Sequence, residues 1–520
     1  MAFRPDRASD VPLNRQLADH LATLIDTGRL APGVRLPATR EAATAVGVAR
    51  RTVATAYEIL TARGLVSAHV GRGTFVVGRA AAAPAPSIPP AARAFAWAGL
   101  FARPAALATL PGFVWRAHRG EIAFDFRGGR VDPTTLPAQD LRWAFARPFQ
   151  VRTRLRALAA HRDPRGWPPL REEVARHLAA RGIACEPSDT AIVNGLQQAI
   201  DLAARVLVEP GDAVVMEQPG YFGAALAFAA RGADVLGVEV DGDGLVTERL
   251  ARILRLRRVK LIYVTPASQC PTGVALSPAR RDALLALADE HQVPILEDDY
   301  DNELRYAGPA LPALKASDRA GQILYAGTFS KVLFPGLRLG YVVAARPLLE
   351  RLVTTRAIAD FGTGVVEQAA LATLLATRGL DRHLRRVRKL YAERLATMLA
   401  ALESAMPKGT LWTSPRGGHL VWVTLPTGVD ADQLQHASIQ RGVAFERGEM
   451  FFHRGERGGE HVALSFAALE ADAIREGIAR LAAAVRDLMP ATSRSAAARP
   501  SRGPTREPSR PTKRRADATL

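Results

Sequence analysis

Apolar side chains at Leu13, Leu17, Leu21, Leu24 and Ile25 recur at helical spacing, and Gly28 ends the run, so the pattern predicts an amphipathic helix over 13–28. A second helix is expected over 38–46, stopping at Gly47. A third is expected over 50–62, with Val53, Ala56, Tyr57 and Leu60 on its inward face and Gly64 as its stop. Beyond it, Leu65 to His69 and Thr74 to Val77 flank the turn Val70-Gly71-Arg72-Gly73 and predict a two-stranded hairpin. Three helices and a hairpin make an α+β winged helix-turn-helix, expected over 1–78. From about 121 to 489, helical stretches alternate with short apolar runs such as Ala213-Val214-Val215-Met216, Leu261-Ile262-Tyr263-Val264 and Val293-Pro294-Ile295-Leu296. That alternation predicts an α/β domain on a largely parallel sheet.

Composition divides the rest. Residues 79–120 begin with an Ala/Pro/Arg-rich stretch, which reads as a linker. The segment 490–520, rich in Pro, Ser and Arg, reads as a disordered basic tail. At 520 residues and 48% hydrophobic content the chain can fill more than one core. No apolar run approaches the roughly 20 residues of a membrane-spanning helix, and the expected compartment is the cytoplasm, in association with the nucleoid. Cys185 and Cys270 stand far apart, so neither a disulfide framework nor a metal site is expected. The net charge of +18 fits a polyanionic partner such as double-stranded DNA, although Ala/Arg-rich coding accounts for part of it. Lysine is scarce, which draws attention to Lys331 inside its Gly/Ser-rich frame.

In a helix-turn-helix the second helix of the motif presents its N-terminal residues to base edges. Here those residues are Arg50, Arg51 and Thr52, on the side away from Val53, Tyr57 and Leu60. Arg35 and Arg40 are placed to clamp backbone phosphates. Gly71 and Gly73 let the wing approach DNA closely, with Arg72 between them directed at the minor groove. The runs Arg35-Leu36-Pro37-Ala38-Thr39-Arg40-Glu41, Gly47 to Tyr57 and Gly71 to Val76 together resemble the GntR family of regulators over 11–77.

The second set of motifs fits pyridoxal 5′-phosphate, which needs a lysine for its aldehyde, a carboxylate for its ring nitrogen, donors for its phosphate and a flat wall against its ring. Lys331 supplies the amine, and Thr328, Ser330 and Arg338 surround it with hydroxyls and a guanidinium. Gly195, Leu196 and Gln197 follow a strand-like run and open a helix, a second place for an anion. Asp298 ends an apolar strand within Leu296-Glu297-Asp298-Asp299-Tyr300-Asp301 and suits the pyridinium. Tyr300 suits the ring hydroxyl, and Tyr221, after Pro219-Gly220, suits the stacking wall.

In this order the motifs resemble class I aminotransferases of fold type I over 121–489, and the whole chain resembles the MocR subgroup of GntR regulators. The resemblance implies a transcriptional regulator that senses pyridoxal phosphate, or an amine or amino acid reacting with it. It also implies a homodimer without net turnover in the cell. The alternative is a working aminotransferase with an appended DNA-binding head. Two departures from the aminotransferase pattern stand out. Cys270 replaces an asparagine that bonds the ring hydroxyl, and Ala463, in His461-Val462-Ala463-Leu464-Ser465-Phe466, falls where an arginine clamps a substrate carboxylate. Arg447 and Arg454 are the candidates to replace that arginine.

Overall fold

The computed structural model describes residues 3–7, 9–69, 71–77, 122–308, 311–453 and 458–490. Val70 and Arg454, the expected linker over 79–120 and the expected tail beyond Pro490 lie outside these residues. The chain divides into two units, one on each side of the segment 78–121.

In the first unit α1 (Leu13–Asp26), α2 (Thr39–Val46) and α3 (Arg50–Ala62) precede β1 (Val66–His69) and β2 (Gly73–Val76). The strands pair antiparallel, Val66 opposite Val76 and His69 opposite Gly73. The apolar stripes meet as the periodicity requires: Leu17 and Leu21 of α1, Ala42 of α2, and Val53, Ala56 and Leu60 of α3 form one buried cluster with Val66 and Val76. Tyr57 joins it and donates from its hydroxyl to the Pro37 carbonyl at 2.9 Å, fixing the entry to α2 against α3. Glu41 accepts from the Ala38 amide at 3.2 Å, and Gly47, at φ 71°, ends α2 in the left-handed region open to glycine.

The second unit is built on an eight-stranded sheet. Its strands are β4 (Thr190–Val193), β5 (Ala213–Gln218), β6 (Asp234–Asp241), β7 (Gly244–Leu245), β8 (Val259–Val264), β9 (Ile295–Asp299), β10 (Ile323–Thr328) and β11 (Gly340–Val343), in the order β4-β11-β10-β9-β8-β5-β6-β7. The run from β10 to β6 is parallel, while β11 is antiparallel to both its neighbours. Apolar clusters cover both faces, Leu261 and Leu296 on one and Ile262 and Ile295 on the other, which is why these strands read as unbroken apolar runs. A smaller antiparallel sheet follows from β12 (Leu411–Trp412), β13 (Leu420–Thr424), β15 (Glu446–Arg447) and β16 (His461–Ser465), in the order β12-β13-β16-β15. Between them in sequence, β14 (Val443–Ala444) pairs with β3 (Phe124–Asp125). No helix among the described residues is long and apolar enough to cross a membrane.

Candidate functional site

The carboxyl ends of the parallel strands open into a cavity of about 330 Å³, the usual place for a ligand in an open α/β sheet. Strand pleating sorts the acids of β9. Glu297 turns to one face, where it accepts from the Leu314 and Lys315 amides, each at 2.8 Å. Asp299 follows it and is held by Arg181 at 2.6 Å. Asp298 points the other way, into the cavity. Its Oδ2 accepts from the Tyr263 hydroxyl at 2.6 Å, and its Oδ1 is buried with no hydrogen-bond partner. Burial pushes the Asp298 carboxyl up to about 7. A buried carboxylate oxygen without a donor is costly, so the geometry fits a protonated ring nitrogen at that oxygen.

Lys331 lies in the same cavity, just beyond the end of β10. Its Nζ donates to His419 Nε2 at 3.4 Å. Thr328 and Ser330 sit beside it. The Ser330 amide donates to the Thr328 hydroxyl at 3.1 Å, and the Ser330 Oγ is buried and unpartnered, a donor free for an anion. Arg338 adopts a left-handed backbone, φ 50°, and its guanidinium donates to the Asn194 carbonyl at 2.9 Å. Gly195 permits this approach: at φ 80°, a Cβ there would lie 3.1 Å from the Arg338 guanidinium. Leu196 and Gln197 then open the helix Leu196–Leu207, whose first amides have no intrahelical carbonyl to bond. Both residues line the cavity, so donors suited to an anion converge on it from two distant segments.

Tyr221 and Tyr300 also line the cavity. The Tyr221 hydroxyl donates to Gln197 Oε1 at 3.0 Å, which fixes the ring plane. Tyr300 stands edge-on to His419 with ring centroids 6.1 Å apart. Cys270 is part of the wall, whereas Gln269 is committed to the Pro219 carbonyl at 2.7 Å and to the Thr272 hydroxyl at 2.6 Å. The residues expected around the cofactor therefore border one cavity, except Gly195, which shapes its rim. Residues that sequence reasoning missed are His419, Glu446 and Asp360. Asp360 accepts from Asn194 Nδ2 at 2.8 Å and from Gln198 Nε2 at 2.5 Å, bracing the turn that carries Gly195. It lies 166 residues from Asn194 in sequence, with no local motif to flag it.

Ala463 is fully buried, paired across β16 with Trp422 on one side and Glu446 on the other. Arg447 does not substitute for the arginine expected there. Successive residues of a strand face opposite ways, and Arg447 pairs with Asp432 while Glu446 takes the cavity side.

In the first unit Arg35, Arg40, Arg50, Arg51 and Arg72 are all exposed, and Thr52 is half-buried. Arg50 Nε donates to the Thr39 hydroxyl at 3.4 Å, which ties the start of α3 to the start of α2. Arg35 lies against the wing, where a Cβ at Gly73 would come within 2.7 Å of its Nε. Gly71, at φ 77°, makes the tip of the turn. None of the five arginines forms an ion pair with an acid among the described residues, which leaves their charges available to a polyanion.

Residues 13–76 match the bacterial regulatory proteins of the gntR family, and residues 133–481 match aminotransferase class I and II. The chain is 33% identical over 502 residues to the probable rhizopine catabolism regulatory protein MocR of Rhizobium meliloti, covering 92% of this chain and 95% of that one. It is 36% identical over 479 residues to the HTH-type transcriptional regulator TauR of Rhodobacter capsulatus, covering 91% and 96%. Among solved structures, α-aminoadipate aminotransferase LysN of Thermus thermophilus, complexed with N-(5′-phosphopyridoxyl)-L-leucine, superposes with a TM-score of 0.71 at 32% identity. That match covers 76% of this chain and 99% of LysN.

Proposed function

The chain belongs to the MocR-type regulators, in which a gntR-family DNA-binding head is joined to an aminotransferase class I and II domain that takes pyridoxal 5′-phosphate, and from that premise we propose that occupancy of the Lys331 cavity sets the affinity of the head for its operator. The observation that carries this reading is the buried, unpartnered Oδ1 of Asp298 in the cavity that holds Lys331, with Ser330 and Arg338 at one end.

When bound, the cofactor supplies an aldehyde that condenses with amines and a ring that draws electrons from the bond formed. The chain's own residues do the rest. Lys331 presents its amine to the aldehyde, and neutral His419 accepts a hydrogen bond from that amine. Asp298 keeps the ring nitrogen protonated, Tyr300 meets the ring hydroxyl and Tyr221 covers the ring face. Thr328, Ser330, Arg338 and the amides at Gly195, Leu196 and Gln197 hold the phosphate. On the DNA side, Arg50, Arg51 and Thr52 read the major groove, Arg35 and Arg40 hold phosphates, and Arg72 enters the minor groove between Gly71 and Gly73.

Ala463 favours sensing over turnover. An α-carboxylate held by a bidentate guanidinium gains charge-assisted bonds worth roughly 1.5–3 kcal/mol each, and here the position holds Ala463, buried behind Cys270, Leu420 and Phe451. The protein acts as a homodimer of the cytoplasm, at its operator on the nucleoid. Ile358 and Phe361, exposed at 81% and 87%, lie at the end of the helix that carries Asp360 and leave apolar side chains there for a second copy to cover.

Operator affinity measured on the bare protein and again at saturating pyridoxal 5′-phosphate, with and without added amines, tests the reading. A change that disappears in Lys331→Ala is expected. Unchanged affinity under every condition would reject it and leave the cavity a structural role only.

A further inference from the structure

The part of the cavity at Glu446 has a charge pattern of its own. Cross-strand pairing sets Glu446, Ala463 and Trp422 in one rung of the smaller sheet, all on the same face. Ala463 contributes a methyl group, and Trp422 is buried edge-on to Phe451 at 5.5 Å. Glu446 alone is charged, and it reaches the cavity wall. Its carboxylate lies against the turn at Gly128: the Gly128 amide donates to it, and a Cβ built there would fall 3.1 Å from Oε2.

The arginines nearest to Glu446 are engaged elsewhere, Arg127 with Asp125 at 2.7 Å and Arg447 with Asp432, so no arginine closes an ion pair on this carboxylate among the described residues. Four side chains that line the cavity can carry a full charge at neutral pH without histidine: Asp298, Lys331, Arg338 and Glu446. The cofactor matches three of them, its phosphate at Arg338, its ring nitrogen at Asp298 and its aldehyde at Lys331. Glu446 is left over: within the cavity, the cation that offsets the upward pull of burial on its carboxyl is Lys331, whose amine the cofactor's aldehyde would claim. A ligand carboxylate brought to that part meets a like charge with no guanidinium to receive it, whereas an ammonium meets its counterion.

We propose that the effector is a cationic amine, in its simplest form an α,ω-diamine, with one amino group at the cofactor carbon and the other, protonated, paired with Glu446. The methylenes between them lie along Leu420 and Phe451, the apolar part of the same wall. The exchange balances without a co-reactant. The ligand nitrogen takes over the carbon–nitrogen double bond from Lys331, its two hydrogens pass to Nζ, and Lys331 leaves as a free amine with nothing oxidised or reduced. This inference rests on the reading of the cavity as the cofactor and effector site.

The test uses full-length protein loaded with pyridoxal 5′-phosphate and titrated with putrescine, butylamine and L-alanine, followed by cofactor absorbance and by calorimetry. Putrescine is expected to bind about tenfold or more tightly than either of the others, the advantage of one charge-assisted pair. In Glu446→Gln the ratio of putrescine to butylamine affinity is expected to fall toward unity. A ratio removes any change in cofactor loading that the substitution brings. Tighter binding of L-alanine than of putrescine, or a ratio unchanged in Glu446→Gln, overturns the inference while leaving the cofactor site standing. A protein that never takes up the cofactor overturns both.

Discussion

Lys331 Nζ stands 3.4 Å from His419 Nε2, and the far side of that imidazole, Nδ1, is 3.7 Å from Asp301. Burial, reinforced by the Lys331 cation, holds the imidazole well below its ordinary 6.5. His419 therefore stays neutral, with Nε2 accepting from the lysine. In protein with ring-labelled histidine, the His419 signals are expected to remain those of a neutral ring across the range in which an ordinary histidine titrates. Lys331→Ala removes a cation and should move the His419 titration upward. A ring that already titrates near 6.5 in the unaltered protein would contradict the arrangement.

Asp298 gives a pH dependence of stability with a defined sign. In the folded, cofactor-free protein burial holds its proton up to about pH 7, whereas the unfolded chain releases it near about 4. Between those values the native state binds more protons than the unfolded one, so stability from this group falls as pH rises through the window and levels off above about 7. Thermal melts of the bare protein and of Asp298→Asn, compared across the window, isolate the effect. The substituted protein should gain on the parent as pH rises, and cofactor loading should act in the same direction by giving the carboxylate a cationic partner. A difference that stays level with pH would show that Asp298 does not titrate there.

Asp360 is expected to matter to phosphate binding without touching it. Asp360→Ala frees the side chains of Asn194 and Gln198, which now brace the turn at Gly195. Loss of bonds to a charged acceptor of about 1.5–3 kcal/mol corresponds to roughly a ten- to hundredfold weaker affinity for pyridoxal 5′-phosphate. Equilibrium dialysis against the cofactor checks this. Pyridoxal, which lacks the phosphate, should bind both proteins alike.

The arginines of the head separate by experiment into two groups. Arg51→Ala should cost about 1–3 kcal/mol on the preferred operator and little on random DNA, since a base contact discriminates. Arg35→Ala and Arg72→Ala should weaken binding to all sequences and lower the slope of log affinity against log salt by about 1 for each phosphate that the removed guanidinium had neutralised. Electrophoretic or fluorescence titrations on operator and scrambled DNA at several salt concentrations distinguish the two. An Arg51→Ala effect that is equal on every sequence would assign that residue to the phosphate backbone instead.

The head was largely legible from the chain. Helix α3 keeps Val53, Ala56, Tyr57 and Leu60 inward because their spacing leaves one face dry, and that fixes Arg50 and Arg51 on the outside. Helix α1 stops at Asp26 rather than at 28, since Thr27 already caps it ahead of Gly28 in the left-handed region. Most residues that line the cavity were legible for a similar reason: Asp298 and Thr328 stand at or next to strand ends and Leu196 and Gln197 at a helix start, where local sequence determines which atoms are exposed.

What the sequence by itself determined is therefore the kind of chain this is and the local chemistry of each motif, because turn residues, helical periodicity and strand runs act over a few neighbours. Tertiary structure alone decided which distant groups share the cavity. Asp360 braces a turn it never adjoins in sequence, and His419 meets Lys331 across 88 positions. The register of β15 against β16 turns Glu446 rather than Arg447 inward, and a slip of one residue would exchange an anion for a cation in the wall. That choice follows from how the whole sheet buries its apolar face, a property of the packed protein and not of any segment.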